Sequence, residues 1–218
     1  AMIGVGLTLI FGVMRTINFA HGDFVVLGMY TAFLVNMQLG WDPYFSLPIA
    51  MAAGFLLGVL IERVVLAPIV DKPHETSLLA TLGISLIIGN SLLLAFGGES
   101  KSVHVSYASM TLPIGSVRIS VILLLAGLVT AIVIGGLYFL LHRTEFGRSI
   151  RATAENRLGA ELVGINTRSV QGIVFGLGTM LAMTAGVALI PLLFATPTHT
   201  GAILTLKAFV VIVLGGLG

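Results

Sequence analysis

The sequence has no cysteine and very little charge. Without cysteine there is no disulfide framework, no thiolate metal site and no cysteine nucleophile. Asp, Glu, Lys and Arg make up 9% of the 218 residues. A soluble domain carries about 25%. A surface so poor in charge cannot face water all round, so the solvent is lipid. Lysine occurs only as Lys72, Lys101 and Lys207, none of them in G-x-x-x-x-G-K-[ST], so the chain has no P-loop for ATP. The H-E-x-x-H and G-x-S-x-G patterns of metal-dependent and serine hydrolases are missing too. The first residues hold no basic stretch and no small-residue cleavage site, so no cleavable signal is evident. The net charge of +2 fits the basic excess of cytoplasmic loops and does not ask for a nucleic-acid partner.

What the chain has is apolar length. Hydrophobic residues make up 57% and the mean hydropathy is +1.09. The apolar runs are Met2–Val13, Phe24–Leu39, Phe45–Ile69, Ser77–Phe96, Ser120–Leu141, Val170–Phe194 and Leu206–Gly218. The third to sixth reach the roughly 20 residues that a span needs. The second is short, and the first and last are cut off, so the sequence reads as an internal fragment incomplete at both ends. The runs do not alternate as barrel strands do, and backbone in lipid must be bonded internally, so they are helices. The fold class is therefore all-α and polytopic: one transmembrane domain over residues 1–218, a bundle of about six to seven transmembrane helical segments. Gly54 and Gly58, Gly172 and Gly176, and Ala182 and Gly186 have the small-xxx-small spacing of close helix contacts, which glycine abundance alone also produces.

Residues 143–169 gather five of the eleven Lys and Arg and three of the nine Asp and Glu. The positive-inside rule makes this loop cytoplasmic. Alternation then puts Ala67–Thr76 inside and Gly97–Ile119 outside, where "KSVHVSYASMTL" alternates as a short hairpin does. Within the loop, Ile150, Ala154, Leu158, Glu161 or Leu162, and Ile165 fall near one helical face, with Arg151, Glu155 and Arg157 elsewhere, and Gly164 can end the helix. Such an amphipathic helix lies on the lipid interface or docks into a soluble partner's groove. The plainer reading is a solvated basic loop that only sets topology.

"MRTINFAHGDF", Met14 to Phe24, breaks two apolar runs with Arg15, Asn18, His21 and Asp23, and Gly22 can interrupt a helix. One reading is a discontinuous helix lining a translocation route or gate. The other is a short cytoplasmic turn with Asn18 or Asp23 capping the next helix. His21 and Asp23 lack a third ligand, so no metal site is assigned. Glu62 and Arg63 pair within the bundle or snorkel to the inner interface, and Lys207 faces the outer vestibule or snorkels; snorkelling is the expectation for all three. Asn90 and Ser91 are expected to bond across helices. Pro191 and Pro197 suggest a kink and a helix stop before "TPTHTG". His74, His104, His142 and His199 join no motif. Spans nearly free of ionisable residues argue against a stand-alone proton- or sodium-coupled carrier, and no nucleophile–base pair supports an intramembrane enzyme.

"RATAENRLGAELVGINTRSVQGIVFGLGTMLAMTAGVAL" resembles the cytoplasmic loop and following helix of LivH-type permeases of branched-chain amino acid ABC importers. The matching positions of the coupling element are Ala154, Glu155, Asn156, Ala160, Val163, Gly164, Ile165 and Asn166, with Val163 where the family often has Leu. "GLTLIFGVMRTINFAHGDFVVLGMY" is similar to the family's first helix, and "IERVVLAPI" and "KAFVVIVLGGLG" are similar to later segments. The resemblance implies an inner-membrane subunit, bacterial or archaeal, that binds no cofactor itself. It pairs with a second permease. Two ATPases use ATP at the 143–169 loop, and a periplasmic or surface binding protein delivers the substrate. Arg151, Ala154, Glu155, Asn156, Arg157, Ala160, Gly164, Ile165 and Asn166 would couple to the ATPase, and Asn18, His21, Gly22 and Asp23 would lie on the route. The cargo implied is leucine, isoleucine or valine. Relatives in the family also carry urea, amides and other amino acids.

Overall fold

A computed structural model describes residues 1–70, 72–114 and 117–215. Its helices are α1 (Met2–Met14), α2 (His21–Leu39), α3 (Leu47–Ile61), α4 (His74–Phe96), α5 (Val121–Arg143), α6 (Glu145–Glu155), α7 (Arg157–Leu162), α8 (Thr167–Leu189) and α9 (Thr200–Gly215). Five helical stretches are long and apolar enough to cross a membrane, and α1 and α9 are shorter apolar helices. The chain is thus an all-α polytopic membrane protein. The end of the "KAFVVIVLGGLG" segment, residues 216–218, lies outside the described residues.

The core is built around α8. The hydropathy of α8 is that of a span, yet 83% of its most apolar window is buried, against 11% for α5. The reason is backbone proximity. A Cβ on Gly54 of α3 would lie 2.9 Å from Met180 Cα, and one on Gly58 would lie 2.8 Å from Gly176 Cα. Between α2 and α8, a Cβ on Gly28 of α2 would strike the Met183 carbonyl, and one on Gly186 of α8 would strike the Val25 carbonyl. On α1, Gly6 meets the Gly178 carbonyl in the same way. Small residues let helices touch where lipid supplies no hydrophobic drive between them. Phe24 and Phe175 fill the space beside these seams edge to face, with ring centroids 6.3 Å apart.

Several boundaries differ from the apolar runs. α2 begins at His21, so the polar His-Gly-Asp triplet opens a 19-residue helix that spans. α3 passes into a wide π turn, Glu62–Leu66, and a short 3₁₀ turn, Ala67–Ile69, where Pro68 cannot continue the ladder. α8 stops at Leu189, so Pro191 follows the helix and does not kink it. α9 starts at Thr200, earlier than the apolar run. Asn90 bonds the Leu86 carbonyl of its own helix at 2.7 Å, and both it and Ser91 are exposed, so neither bonds across helices.

One end of the bundle carries the α2–α3 connection, residues 97–114, residues 117–120 and residues 190–199. There Tyr107 donates to Asp42 Oδ2 at 2.6 Å, and Lys101 and Ala195 exchange both backbone bonds. Burial, then the Asp42 carboxylate, pushes the Tyr107 phenol above its ordinary range. The hairpin of this end pairs Thr111–Ile114 (β1) antiparallel with Val117–Ser120 (β2), so most of the alternating 101–112 stretch is irregular. The opposite end carries α6, α7, the π and 3₁₀ turns after α3, the start of α4 and the C-terminus of α1.

If α8 is the hub, Gly28→Ala must cost more than its one methyl group. Carbonyl and Cα atoms cannot rotate away, so about 1–3 kcal/mol of destabilisation is expected, read as a lower melting temperature in detergent. Gly127→Ala, where a Cβ meets nothing within 4 Å, is expected to leave the melt unchanged or raise it.

Candidate functional site

The charged loop folds as a jointed arm. Its residues form two short helices, α6 and α7, where the spacing predicted one. The break falls at Asn156, whose side chain turns from helix continuation to capping: Oδ1 accepts from Gly159 N–H at 2.9 Å. Thr144 caps α6 through Gly147 N–H, and Asn166 caps α8 through Ser169 N–H at 3.1 Å. Side-chain caps of this kind stabilise a helix start by about 1 kcal/mol each. Gly164, at φ +88°, makes the turn between α7 and α8, a conformation that a Cβ would oppose.

The inner side of the arm is anchored. Ile150 and Thr153 of α6 are buried, and Ile150 clusters with Val13, Val170 and Val174. Gly147 sits against the Leu140 and Leu141 carbonyls, and the Arg151 guanidinium donates to the Leu141 carbonyl. Ala154 and Ile165 are half-buried, and Ala160 is buried. Arg157 pairs with Glu161 at 3.3 Å, and Thr167 donates to Glu161 at 2.6 Å. The Thr167 hydroxyl first, and Arg157 second, hold the Glu161 carboxyl below its ordinary range.

The outer side is bare. Glu155 and Asn156 are exposed, and Leu158, Leu162 and Val163 are 71%, 82% and 77% exposed. Leu158 therefore leaves the face that Ile150 and Ala154 occupy, because the Asn156 break rotates α7. The residues expected to couple thus divide. Ala154, Ala160 and Ile165 pack inward. Asn156, Gly164 and Asn166 form joints. Glu155 is exposed, Arg151 is exposed while its guanidinium ties back to the Leu141 carbonyl, and Arg157 is half-buried.

The second site lies inside the bundle. α1 ends at Met14 and is closed by Arg15, whose φ of 51° is left-handed, and residues 16–19 lie outside any helix before α2 begins. Asn18, His21 and Asp23 are 1%, 0% and 5% exposed, so the polar side chains of this break are buried in the bundle, while Arg15 and Phe19 of the same stretch are exposed. Asn18 Oδ1 accepts from Ala20 N–H at 3.0 Å, and neither Asn18 nor Asp23 caps α2. His21 Nε2 lies 2.9 Å from the Ile3 carbonyl, which assigns the proton to that nitrogen. Gly22 lets the Gly201 carbonyl of α9 come into contact, and Gly201 in turn receives the Asp23 carboxylate. Asn18 Nδ2 and His21 Nδ1 are buried without a partner among the described residues.

Two threonines satisfy the broken backbone. Thr205 of α9 accepts from Gly22 N–H at 2.8 Å and donates to the Phe19 carbonyl at 3.3 Å. Thr81 of α4 accepts from Phe19 N–H at 3.3 Å. The sequence reading missed both. Their only signal is a hydroxyl in an apolar run, and most such hydroxyls bond their own helix, as Thr8, Thr31 and Thr184 do here. Glu62 departs from the interfacial position expected for it. It is 1% exposed in the π turn, where its carboxylate lies against Gly172, so it does not snorkel; Arg63 beside it and Lys207 on α9 are exposed. His21, Asp23 and Glu62 make the bundle less free of ionisable groups than its hydropathy suggests. Among the described residues no three His, Cys, Asp or Glu come together as metal ligands would.

Residues 1–218 match the family described as "Branched-chain amino acid transport system / permease component". The chain is 30% identical over 230 residues to the high-affinity branched-chain amino acid transport system permease protein BraD of Pseudomonas aeruginosa, covering all of this chain and 75% of the relative. It is 29% identical over 234 residues to the corresponding LivH of Escherichia coli K12, with the same coverage. It is 32% identical over 221 residues to the autoinducer 2 import system permease protein LsrC of an Escherichia coli K12 strain, covering 99% of this chain and 60% of the relative. No solved structure matches.

Thr205→Val removes both bonds to the break while keeping shape. The expected loss is about 1–3 kcal/mol of stability, since a buried N–H and carbonyl go unpaired. Thr205→Ser is expected to melt within about 1 kcal/mol of the parent, because its hydroxyl keeps both bonds.

Proposed function

The chain belongs to the family of branched-chain amino acid transport system permease components, and on that premise we propose that α6 and α7 are the arm through which a separate ATPase drives import. The chain is a multi-pass membrane permease subunit and not an enzyme. The carrying observation is the apolar face of α7. Leu158, Leu162 and Val163 project from the polar end of the bundle beside Glu155, and a groove on a soluble partner would cover them.

In this reading two ATPases hydrolyse ATP, each docked on the arm of one of two related permeases in the inner membrane. Glu155, Arg151 and Arg157 make the polar contacts around the apolar face. Closure of the ATPase pair pulls the arm. α6 passes the pull to α5 through Thr144 and the Arg151 bond, and α7 passes it to α8 through the Gly164 turn and the Thr167–Glu161 bond. Asn18, His21, Gly22 and Asp23 lie at the break of α1 and α2, where access to the central route changes. A periplasmic or surface binding protein presents the cargo. The names of BraD and LivH support leucine, isoleucine or valine as that cargo; the name of LsrC supports a second reading, in which the binding protein sets a different one.

The test uses the complete importer with single cysteines at Glu155 and Leu158, paired with cysteines in the ATPase groove. This chain has no cysteine of its own, so its background is clean. Disulfide yield is expected to change severalfold between ATP-bound and nucleotide-free states. An assembled complex with no crosslink at any exposed position of 151–166 returns the loop to a topology signal.

A further inference from the structure

Between the arm and the α1 terminus lies a cleft of about 410 Å³. Its lining comes from distant parts of the chain: the end of α1, Leu66, Val70 and Lys72 after α3, His74 and Ser77 of α4, residues 153–158, whose Glu155 and Leu158 belong to both this cleft and the exposed face, and Gln171 of α8. Three cations line it, Arg15, Lys72 and Arg157, against one carboxylate, Glu155. The ion pairs among the described residues are Lys101–Glu99, Arg148–Glu145 and Arg157–Glu161, so Arg15 and Lys72 have no acidic partner there. Asp71, beside Lys72 in sequence, lies outside the described residues. Ser77 and Gln171 are buried and add uncharged donors, while Val13, Leu66 and Val70 give the cleft an apolar side. Arg15 is also the one residue other than glycine with positive φ among the described residues, and it is exposed. A residue with a Cβ rarely holds that conformation.

Cations beside an apolar wall, at the end of the bundle where the spans leave the membrane, match one ligand chemistry: a phosphate anion attached to an acyl chain. We propose that this cleft binds the phosphate of an anionic phospholipid headgroup, with Arg15 and Lys72 as its principal contacts. Basic pockets between helices on the cytoplasmic side hold such headgroups. Arg157 is shared between the lipid and Glu161. The bound headgroup lies behind α7, between the arm and α1, and sets how the arm rests on the bundle. The proposal depends on the cytoplasmic orientation of the arm given above. Its readout is lipid retention, which needs neither transport nor a docked ATPase, so an absent ATPase crosslink leaves it standing.

The assembled importer would be reconstituted in nanodiscs of phosphatidylcholine and phosphatidylglycerol, and retained lipid counted by native mass spectrometry. The parent is expected to retain phosphatidylglycerol over phosphatidylcholine. Removing each cation is expected to weaken that preference by about fivefold. The informative variants are Arg15→Asn, because asparagine tolerates the left-handed backbone and should not cost stability, and Lys72→Gln. Lys101→Gln, at the opposite end, is the control. A second arm titrates inorganic phosphate into the delipidated complex and follows its melting temperature. Lipid preference lost in Arg15→Asn, with phosphate at millimolar concentration leaving the melt unmoved, supports the lipid source. Stabilisation by phosphate that Arg15→Asn abolishes, without any lipid preference, overturns the lipid and leaves a free anion. Equal retention of both lipids by the parent, or an Arg15→Asn variant that keeps the parent's preference for phosphatidylglycerol, overturns the proposal.

Discussion

Everything in this molecule hangs on the contact of bare backbone between α8 and its neighbours. Lipid solvates leucine as well as a protein core does, so burying apolar surface gains little between helices in a membrane. What holds a bundle there is close packing. Gly54 and Gly58 of α3, Gly28 of α2 and Gly6 of α1 bring three helices within carbonyl distance of α8. Because the contacting atoms are backbone, the seams have no rotamers with which to yield. A stiff block of α1, α2, α3 and α8 results. α5, largely exposed along its length, is the looser partner.

A stiff block makes the irregular pieces meaningful. Non-helical backbone at membrane depth is tolerated only where protein or water satisfies it. The break between α1 and α2 meets this condition through two hydroxyls from other helices, Thr81 and Thr205, with Gly22 and Gly201 allowing the approach. The break is thus tied to α4 and α9, outside the glycine seams. On the polar end, the arm formed by α6 and α7 is articulated by Thr144, Asn156, Gly164 and Asn166. Its inner side clamps onto α1, α5 and α8, and its outer side is left apolar. The rigid centre, the tied break and the jointed arm are the parts that a driven membrane machine needs, placed where motion at one end can reach the other.

Much of this is readable from residue order. Apolar runs locate the helices, and the charged loop stands out because nothing else in the chain resembles it. The small-xxx-small pairs at Gly54 and Gly58 and at Gly172 and Gly176 belong to real contacts. Periodicity fails where tertiary partners decide. The loop helix looks continuous because Glu155 and Arg157 suit a helix, yet Asn156 gains more by capping α7. Glu62 looks like an interfacial residue, and the π turn folds it inward against Gly172. His21 and Asp23 lower the local hydropathy and so hide the true start of α2. Thr81 and Thr205 carry no local mark at all, since their partners lie more than sixty residues away in sequence.

If the arm couples this chain to a separate ATPase, as proposed above, import stops when that ATPase does. Uptake of radiolabelled leucine into proteoliposomes measures this directly, with the full permease pair, ATPases inside and binding protein outside. The account predicts uptake that requires both ATP in the lumen and the binding protein, and that is unchanged when proton and sodium gradients are collapsed. Uptake by the permease pair alone, driven by an ion gradient without ATPase, would contradict it and turn the buried Asp23 and Glu62 into coupling groups.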